Sequence, residues 1–431
     1  MKQDNRICIL GMGYVGLTLA VVMAERGFDV DGIEINDDIL SSLKLGEAHF
    51  FETNLDTALR RGVRRGRLRF SKTIPPERAF DAYVITVGTP LDDKGVPRMD
   101  MVSSVTGEIA RHMAEHSMVV LRSTVRLGTT LLVAKPLLDA TGKKYDLAFC
   151  PERTLEGRAM AELPTLPQVV GGVNAESLDR AGALFHRLTP TILKVSSIET
   201  AELIKLLDNS FRDMSFGFGN EVALICERLG LSASEVIRSA NMGYERTNIA
   251  APGFVGGPCL EKDPHILMHS LRDASHVPEM IRAARQLNED LVEHAFQTAL
   301  SKLDRRTGLK ITIMGMAFKG QPDTDDLRGS PSLHMLQLIR AQLPDAEVRL
   351  QDYVAKCEPL SALGAQPVDD LIAFEGADIV FIMNNNRKYY TLDFESRAEL
   401  MRTPGLIYDA WNAVPNALEL PEGIQVVKLG G

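Results

Sequence analysis

Short unbroken apolar runs alternate with longer amphipathic stretches over the first half of the chain. The two kinds of run predict different elements. Arg6-Ile7-Cys8-Ile9-Leu10 reads as a buried strand, residues 11–16 as a glycine turn, and residues 17–24 as an apolar helix. Further strands are predicted at 28–35, 82–87, 118–121, 147–150, 169–172 and 191–195, with helical stretches between them. This alternation implies a parallel sheet with helices on both faces.

The character changes near residue 197. From there to 229 the pattern is helical without a proline, and Ser196 and Glu199 have capping-box spacing. Leu203, Leu206, Leu207, Phe211, Met214 and Phe218 form an apolar stripe. Such a helix spans roughly 45 Å, enough to link two domains. Gly217 and Gly219 within it read as points of close packing between the two copies of a homodimer formed through this helix, or of a kink. More helix is predicted at 233–240 and 276–303. A third region opens at 310–318 with strand, glycine turn and helix again, and strands recur at 347–350, 378–383 and 406–408. The predicted fold is therefore two Rossmann-like, doubly wound α/β domains, 1–196 and 306–431, joined by a helical central domain, 197–305, that contains the long helix. The repeated strand and glycine turn raise the idea of a distant internal repeat.

Composition adds boundaries. Of 431 residues, 45% are hydrophobic and 24% charged, which suits a large soluble core. No apolar run approaches the ~20 residues that span a bilayer. The N-terminus, Met1 to Arg6, runs straight into a strand, so no signal peptide is read. A cytoplasmic protein with no membrane partner is expected. The formal charge of -9 disfavours a nucleic-acid partner. Arg60, Arg61, Arg64, Arg65, Arg67 and Arg69 crowd one segment, but without interleaved aromatics they read as a solvated face. Five cysteines without CxxC spacing argue for reduced thiols. His49 and His265 lack metal-ligand spacing, so no metal is expected.

Gly11, Gly13 and Gly16, with Tyr14 and Val15 between them, form GxGxxG between a strand and a helix. The first glycine permits the tight turn. The second lets the backbone approach a pyrophosphate, and the third lets the helix pack on the sheet. Glu34 ends the second strand, where a carboxylate accepts ribose hydroxyls and repels a 2′-phosphate. Asp37 and Asp38 add to that repulsion, so NAD is the expected cofactor rather than NADP. Thr89, in Gly88-Thr89-Pro90, and Thr124, in Ser123-Thr124, follow later strands. They are read as cofactor or water contacts, with helix capping as the plainer reading.

Gly256-Gly257-Pro258-Cys259-Leu260-Glu261-Lys262-Asp263 puts a cysteine in a glycine-rich loop. If 259–263 open a helix, Cys259 and Asp263 share a face and the helix N-terminus favours the thiolate. Gly256 and Gly257 would let a substrate approach the backbone. Cys259 is thus a candidate nucleophile. Lys205 and Asn209 are one helical turn apart on the long helix, with Arg212 nearby, and could stabilise a developing oxyanion. From the helix alone, a solvated polar stripe is the plainer reading. Glu152 and Glu156 follow a strand and could do acid–base work or be surface charges.

Taken together, these segments resemble the UDP-sugar 6-dehydrogenase family, which oxidises the sugar C6 alcohol to a carboxylate with two NAD. Residues 11–16, 88–90, 123–125, 151–153, 202–212, 256–263, 315–319 and 325–331 carry the resemblance in the family's order. It implies a first oxidation in which Thr124 and Glu152 hold the water that accepts the proton. Cys259 then captures the aldehyde as a thiohemiacetal, and a second oxidation gives a thioester. Lys205 and Asn209 would steady the C6 oxygen, and Asp263 would orient water and the lysine. Arg153, Glu156 and Gly256 would line the sugar site, Lys319 would bind the nucleotide-sugar phosphates, and Arg246 would reach the substrate across a homodimer formed by the long helix. Cys150-Pro151-Glu152-Arg153 and Asn248-Ile249 resemble the UDP-N-acetylhexosamine branch, whereas Glu156 resembles the UDP-glucose branch and Pro258 departs from the first. UDP-N-acetylmannosamine is the favoured substrate, with UDP-glucose second and GDP-mannose third. A binding protein that had lost catalysis would not need Cys259, Lys205, Asn209 and Asp263 together. A two-electron dehydrogenase would not need the cysteine.

Overall fold

A computed structural model describes residues 5–92, 94–272, 277–303 and 307–431. Residues 1–4, where the N-terminal reading begins, and His276, the expected helix start, lie outside the described residues. The chain divides into two compact units: Met1–Asp208 with His265–Val277, and Asn209–Pro264 with Pro278–Gly431.

The first unit is built on eight strands: β1 (Arg6–Leu10), β2 (Asp29–Ile33), β3 (Leu68–Ser71), β4 (Ala82–Ile85), β5 (Ser117–Leu121), β6 (Tyr145–Phe149), β7 (Gln168–Gly172) and β8 (Ile192–Lys194). Their order is β3-β2-β1-β4-β5-β6-β7-β8. The first six follow the doubly wound dinucleotide-binding order. Ile7 and Ile9 enter one core with Val30, Val84 and Val120, while Cys8 and Leu10 enter another with Tyr83, Ile85 and Val119. Alternate side chains point to opposite faces of a strand. Both faces are covered, which is why these strands read as unbroken apolar runs.

Two expectations change here. The sheet is not wholly parallel, because β6 and β7 pair antiparallel through Ala148 with Gly172 and Phe149 with Gly171. Their connection carries only the short helix Ala159–Glu162 in place of a full crossover helix. The arginine run is also not simply a solvated face. It contains the edge strand β3, where Arg69 reaches Asp29 and Asp31, and Arg61 pairs with Glu25.

The second unit carries β9 (Lys310–Met314), β10 (Glu347–Gln351), β11 (Gln366–Pro367), β12 (Ile379–Ile382), β13 (Gly405–Asp409) and β14 (Ile424–Lys428). The order β11-β10-β9-β12-β13-β14, all parallel, repeats that of β3 through β6 with β9 in the place of β1. The helix expected straight after Gly315 is absent. A loop containing Gly320 and Pro322 intervenes, and the helix begins at Pro331 (Pro331–Gln342), whose fixed φ suits a first helical position.

The long helix runs Ile198–Leu229. Its cap lies one residue beyond the expected capping box: Ser197 Oγ accepts the Thr200 N–H at 3.1 Å. The boundary between the units falls inside it, after Asp208. In the second unit Gly217 and Gly219 give close packing within the chain. A Cβ on Gly217 would lie 3.0 Å from Ala284 Cβ, and one on Gly219 2.4 Å from the Ala250 carbonyl oxygen. No helix among the described residues is long and apolar enough to cross a membrane.

Candidate active site

In the first unit the glycine turn has the shape of a phosphate cradle. Gly11 has φ +96°, which favours glycine. A Cβ on Gly16 would sit 1.9 Å from the Gly11 carbonyl oxygen and 2.6 Å from Thr86 Oγ1, so only glycine lets this helix close on the turn. A Cβ on Gly13 would meet nothing within 4 Å, leaving the approach open for a ligand. Helix Tyr14–Glu25 starts behind Gly13 without a side-chain cap, so its first N–H groups remain for an anion. Glu34 is anchored beside the cradle: its Oε2 accepts the Met12 N–H at 3.1 Å and Oε1 the Asn36 N–H at 2.9 Å. These residues fit a dinucleotide. Tyr14 turns elsewhere. Its hydroxyl donates to Glu52 Oε2, and the Gly157 N–H lies 2.8 Å from both oxygens. Burial and the Glu52 carboxylate hold the Tyr14 phenol protonated far above its usual range.

Neither Thr89 nor Thr124 is the cap residue of a helix whose cap is described. The Thr89 hydroxyl donates to the Thr124 carbonyl and ties the two loops together. Glu152 is buried and fully engaged: Arg122 Nη2 is 2.5 Å from Oε2, and the N–H groups of Arg153 and Thr154 donate to Oε1 at 2.7 and 2.9 Å. Burial pushes this carboxyl up, but Arg122, the Thr154 N–H and the nearby Lys205 charge outweigh it and leave the pKa below the ordinary value. Lys205 is buried, so in this unit the polar stripe of the long helix is not solvated. One turn earlier, buried Glu202 accepts from the N–H groups of Gly128 and Thr130 and from the Thr130 hydroxyl. Arg153 pairs through Nε with Asp208 at 2.7 Å. Glu156 is half-buried beside Tyr14 and adds to the raised pKa of that phenol.

In the second unit Asp263 is fully buried. Asn209 Nδ2 lies 2.5 Å from its Oδ2 and Lys262 Nζ 2.5 Å from its Oδ1, so both oxygens are held. Burial pulls the Lys262 ammonium down, but the Asp263 carboxylate and the Cys259 sulfur more than offset this and raise its pKa. Cys259 is exposed and precedes the helix Asp263–Ser270 in a run of turns rather than opening it. Its carbonyl accepts the Asp263 N–H at 2.9 Å, which keeps the expected i,i+4 relation. Gly256 and Gly257 are not left bare for a substrate: a Cβ would meet the Gly329 carbonyl at 2.2 Å and the Phe318 ring at 2.4 Å respectively. Their role here is to let the loop dock. Arg212 and Arg246 are exposed, the latter 5.2 Å from the Tyr244 ring, and half-buried Lys319 lies 5.1 Å from the Phe318 ring. Cys357 is exposed as well, so access alone does not single out Cys259.

Sequence reasoning passed over Arg122, Lys262 and Glu52. An arginine directly after an all-apolar strand end, and a lysine between a cysteine and an aspartate, were the available signals. Glu52 had none.

Residues 5–189, 199–290 and 312–416 match, in turn, the NAD binding domain, central domain and UDP binding domain of the UDP-glucose/GDP-mannose dehydrogenase family. A UDP-N-acetyl-D-mannosamine dehydrogenase of Campylobacter jejuni is 33% identical over 352 residues, 78% of this chain and 84% of the relative. The structure of the UDP-N-acetyl-D-mannosamine dehydrogenase of Pyrococcus horikoshii superposes with a TM-score of 0.89 at 29% identity, covering 99% of both chains. A UDP-glucose dehydrogenase from Pyrobaculum islandicum gives 0.87 at 26% identity, covering 98% of this chain and 97% of the other.

Proposed function

This chain belongs to the UDP-glucose/GDP-mannose dehydrogenase family and is an NAD-dependent nucleotide-sugar dehydrogenase, and from that premise we propose that its substrate is UDP-N-acetyl-D-mannosamine, oxidised at C6 through Cys259. The observation that carries the chemistry is an exposed cysteine one turn before a fully buried aspartate, with a lysine between them that feels both. The named relatives and the Cys150–Arg153 segment support the sugar. NAD, held at the Gly11–Gly16 turn and Glu34, would supply the hydride acceptor for each of two oxidations. Ionised Glu152 with Thr124 holds the water that takes the C6 hydroxyl proton. Cys259 Sγ adds to the C6 aldehyde as a thiohemiacetal, and the second oxidation leaves a thioester. Water held near Asp263 cleaves it, returning the thiol and releasing the carboxylate. The sum is one alcohol, one water and two NAD in, and one carboxylate, two NADH and three protons out. Covalent capture keeps the aldehyde from escaping between steps. Lys205 and Asn209 steady the C6 oxygen. Arg153, Glu156 and Arg246 serve the sugar, and Lys319 the diphosphate.

The division of labour follows the regions 1–196, 197–305 and 306–431. The enzyme works as a cytoplasmic homodimer. Leu207, Phe211 and Phe218 on the long helix are 44%, 65% and 56% exposed, an apolar face of the kind that a partner covers. NADH release from UDP-N-acetylmannosamine, UDP-N-acetylglucosamine, UDP-glucose and GDP-mannose tests the reading. Two NADH per sugar acid from the first alone is the expected result, and preference for UDP-glucose would reassign the substrate.

A further inference from the structure

A network within the second unit grips the cysteine loop at two points. Arg285, on the helix Glu279–Ser301, is 2% exposed, and Asp213 on the long helix is 0% exposed. Arg285 Nη1 lies 2.8 Å from Asp213 Oδ1 and 2.9 Å from the Leu260 carbonyl oxygen, directly after Cys259. Asn288 Nδ2 donates to the same Asp213 oxygen at 2.9 Å and to the Asp213 carbonyl at 3.0 Å. Asn220 Nδ2 in turn donates to Asn288 Oδ1 at 2.9 Å. Asn220 also pairs with Gly253 in both directions, accepting its N–H at 2.8 Å and donating to its carbonyl at 3.1 Å. The stretch from Gly253 to Leu260 is therefore held at one end by Asn220 and at the other by Arg285, and Asn288 and Asp213 link the two.

We propose that Arg285 is a positioning residue for Cys259: clamped by Asp213, it fixes the Leu260 carbonyl and so the peptide that carries the sulfur. A buried ion pair is a poor choice for stability alone, because well-packed apolar residues of similar volume do as well or better. What the guanidinium adds is direction, since it holds a carboxylate and a carbonyl at once. A surface cysteine on a glycine-rich loop needs such direction. Attack on a carbonyl carbon tolerates little displacement, and an ångström of misplacement costs roughly a hundredfold in rate. The inference rests on Cys259 being the nucleophile.

The test uses the full-length enzyme with its cofactor and preferred UDP-sugar. The single variant Arg285→Met strands the Asp213 charge and risks unfolding, so the decisive variant is Asp213→Leu with Arg285→Met, which removes both charges. It is expected to melt near the wild-type temperature, with KM for sugar and NAD within about threefold of wild type and kcat down roughly a hundredfold. Arg285→Lys, which keeps the cation beside Asp213, should recover part of kcat. A double variant with wild-type kcat, or one that does not fold, overturns the proposal in favour of a structural role. Cys259→Ser separates the two ideas. Near-normal turnover in that variant sinks the nucleophile reading itself. An inactive Cys259→Ser beside a fully active double variant sinks only the positioning role.

Discussion

Arg122 Nη2 stands 2.5 Å from Glu152 Oε2, and the two side chains are only 1% and 8% exposed. The carboxylate thus works as a buried anion held ionised by its partner. Such a carboxylate suits the proposed part of orienting water and would make a weak base.

Replacing Arg122 with methionine should leave that anion without its partner and destabilise the protein by about 3–5 kcal/mol. The sign with pH follows from the direction of the shift. In the wild type the folded pKa is depressed, so the stabilisation is present above the ordinary carboxylate range and lost as pH falls through the depressed value. In the variant burial raises the folded pKa, and acid neutralises the stranded charge. Urea unfolding should show a large gap between the two proteins at pH 7 that narrows at pH 5. A gap independent of pH would point to lost packing.

Glu34→Ala removes the carboxylate that the Met12 and Asn36 N–H groups hold beside the glycine turn. Loss of charge-assisted hydrogen bonds to ribose should weaken NAD binding by about 1.5–3 kcal/mol. NADP, which no longer meets that charge, should lose nothing or gain. Titration of both cofactors checks this, and an equal loss for the two would mean the carboxylate only braces the turn.

Iodoacetamide should modify Cys259 and Cys357, the exposed thiols, and spare buried Cys8, Cys150 and Cys226. Burial also pushes the Cys150 thiol up to about 12, with Arg122 only partly opposing, and Cys8 well above its usual value. Substrate should slow labelling at Cys259 alone, which makes Cys357 an internal standard. Peptide mapping with protection at Cys357 instead would misplace the site.

Phe211→Asp with Phe218→Asp puts charge on the exposed face of the long helix. Light scattering should show the mass fall to that of one chain. Secondary structure should be kept, because these rings are 65% and 56% exposed in the single chain. An unchanged mass would place any partner surface elsewhere.

What the sequence made legible is what local rules write into it. The GxGxxG turn needs its glycines for reasons visible at Gly11 and Gly16, and doubly covered strands must be apolar throughout. The misses have a common cause. β3 reads Leu68-Arg69-Phe70-Ser71, and its arginine belongs there only because Asp29 and Asp31 wait on the neighbouring strand. Lys205 and Asn209 looked solvated because a helix shows its polar stripe but not what will cover it. Periodicity located both stripes of the long helix and could not say that Lys205 and Asn209 are buried while Leu207, Phe211 and Phe218 are exposed.

The Gly157 N–H, shared between Tyr14 and Glu52, joins the glycine turn to the loop that carries Glu152 and Glu156. Opening either side breaks the same bonds. The two segments should therefore melt as one cooperative foldon, with the Gly157 amide and the Leu17 amide, which donates to the Gly13 carbonyl, exchanging deuterium at a common rate. A dinucleotide that slows exchange at the turn should then slow it at Gly157 too, and so rigidify the loop from Glu152 to Gly157 before any second ligand arrives.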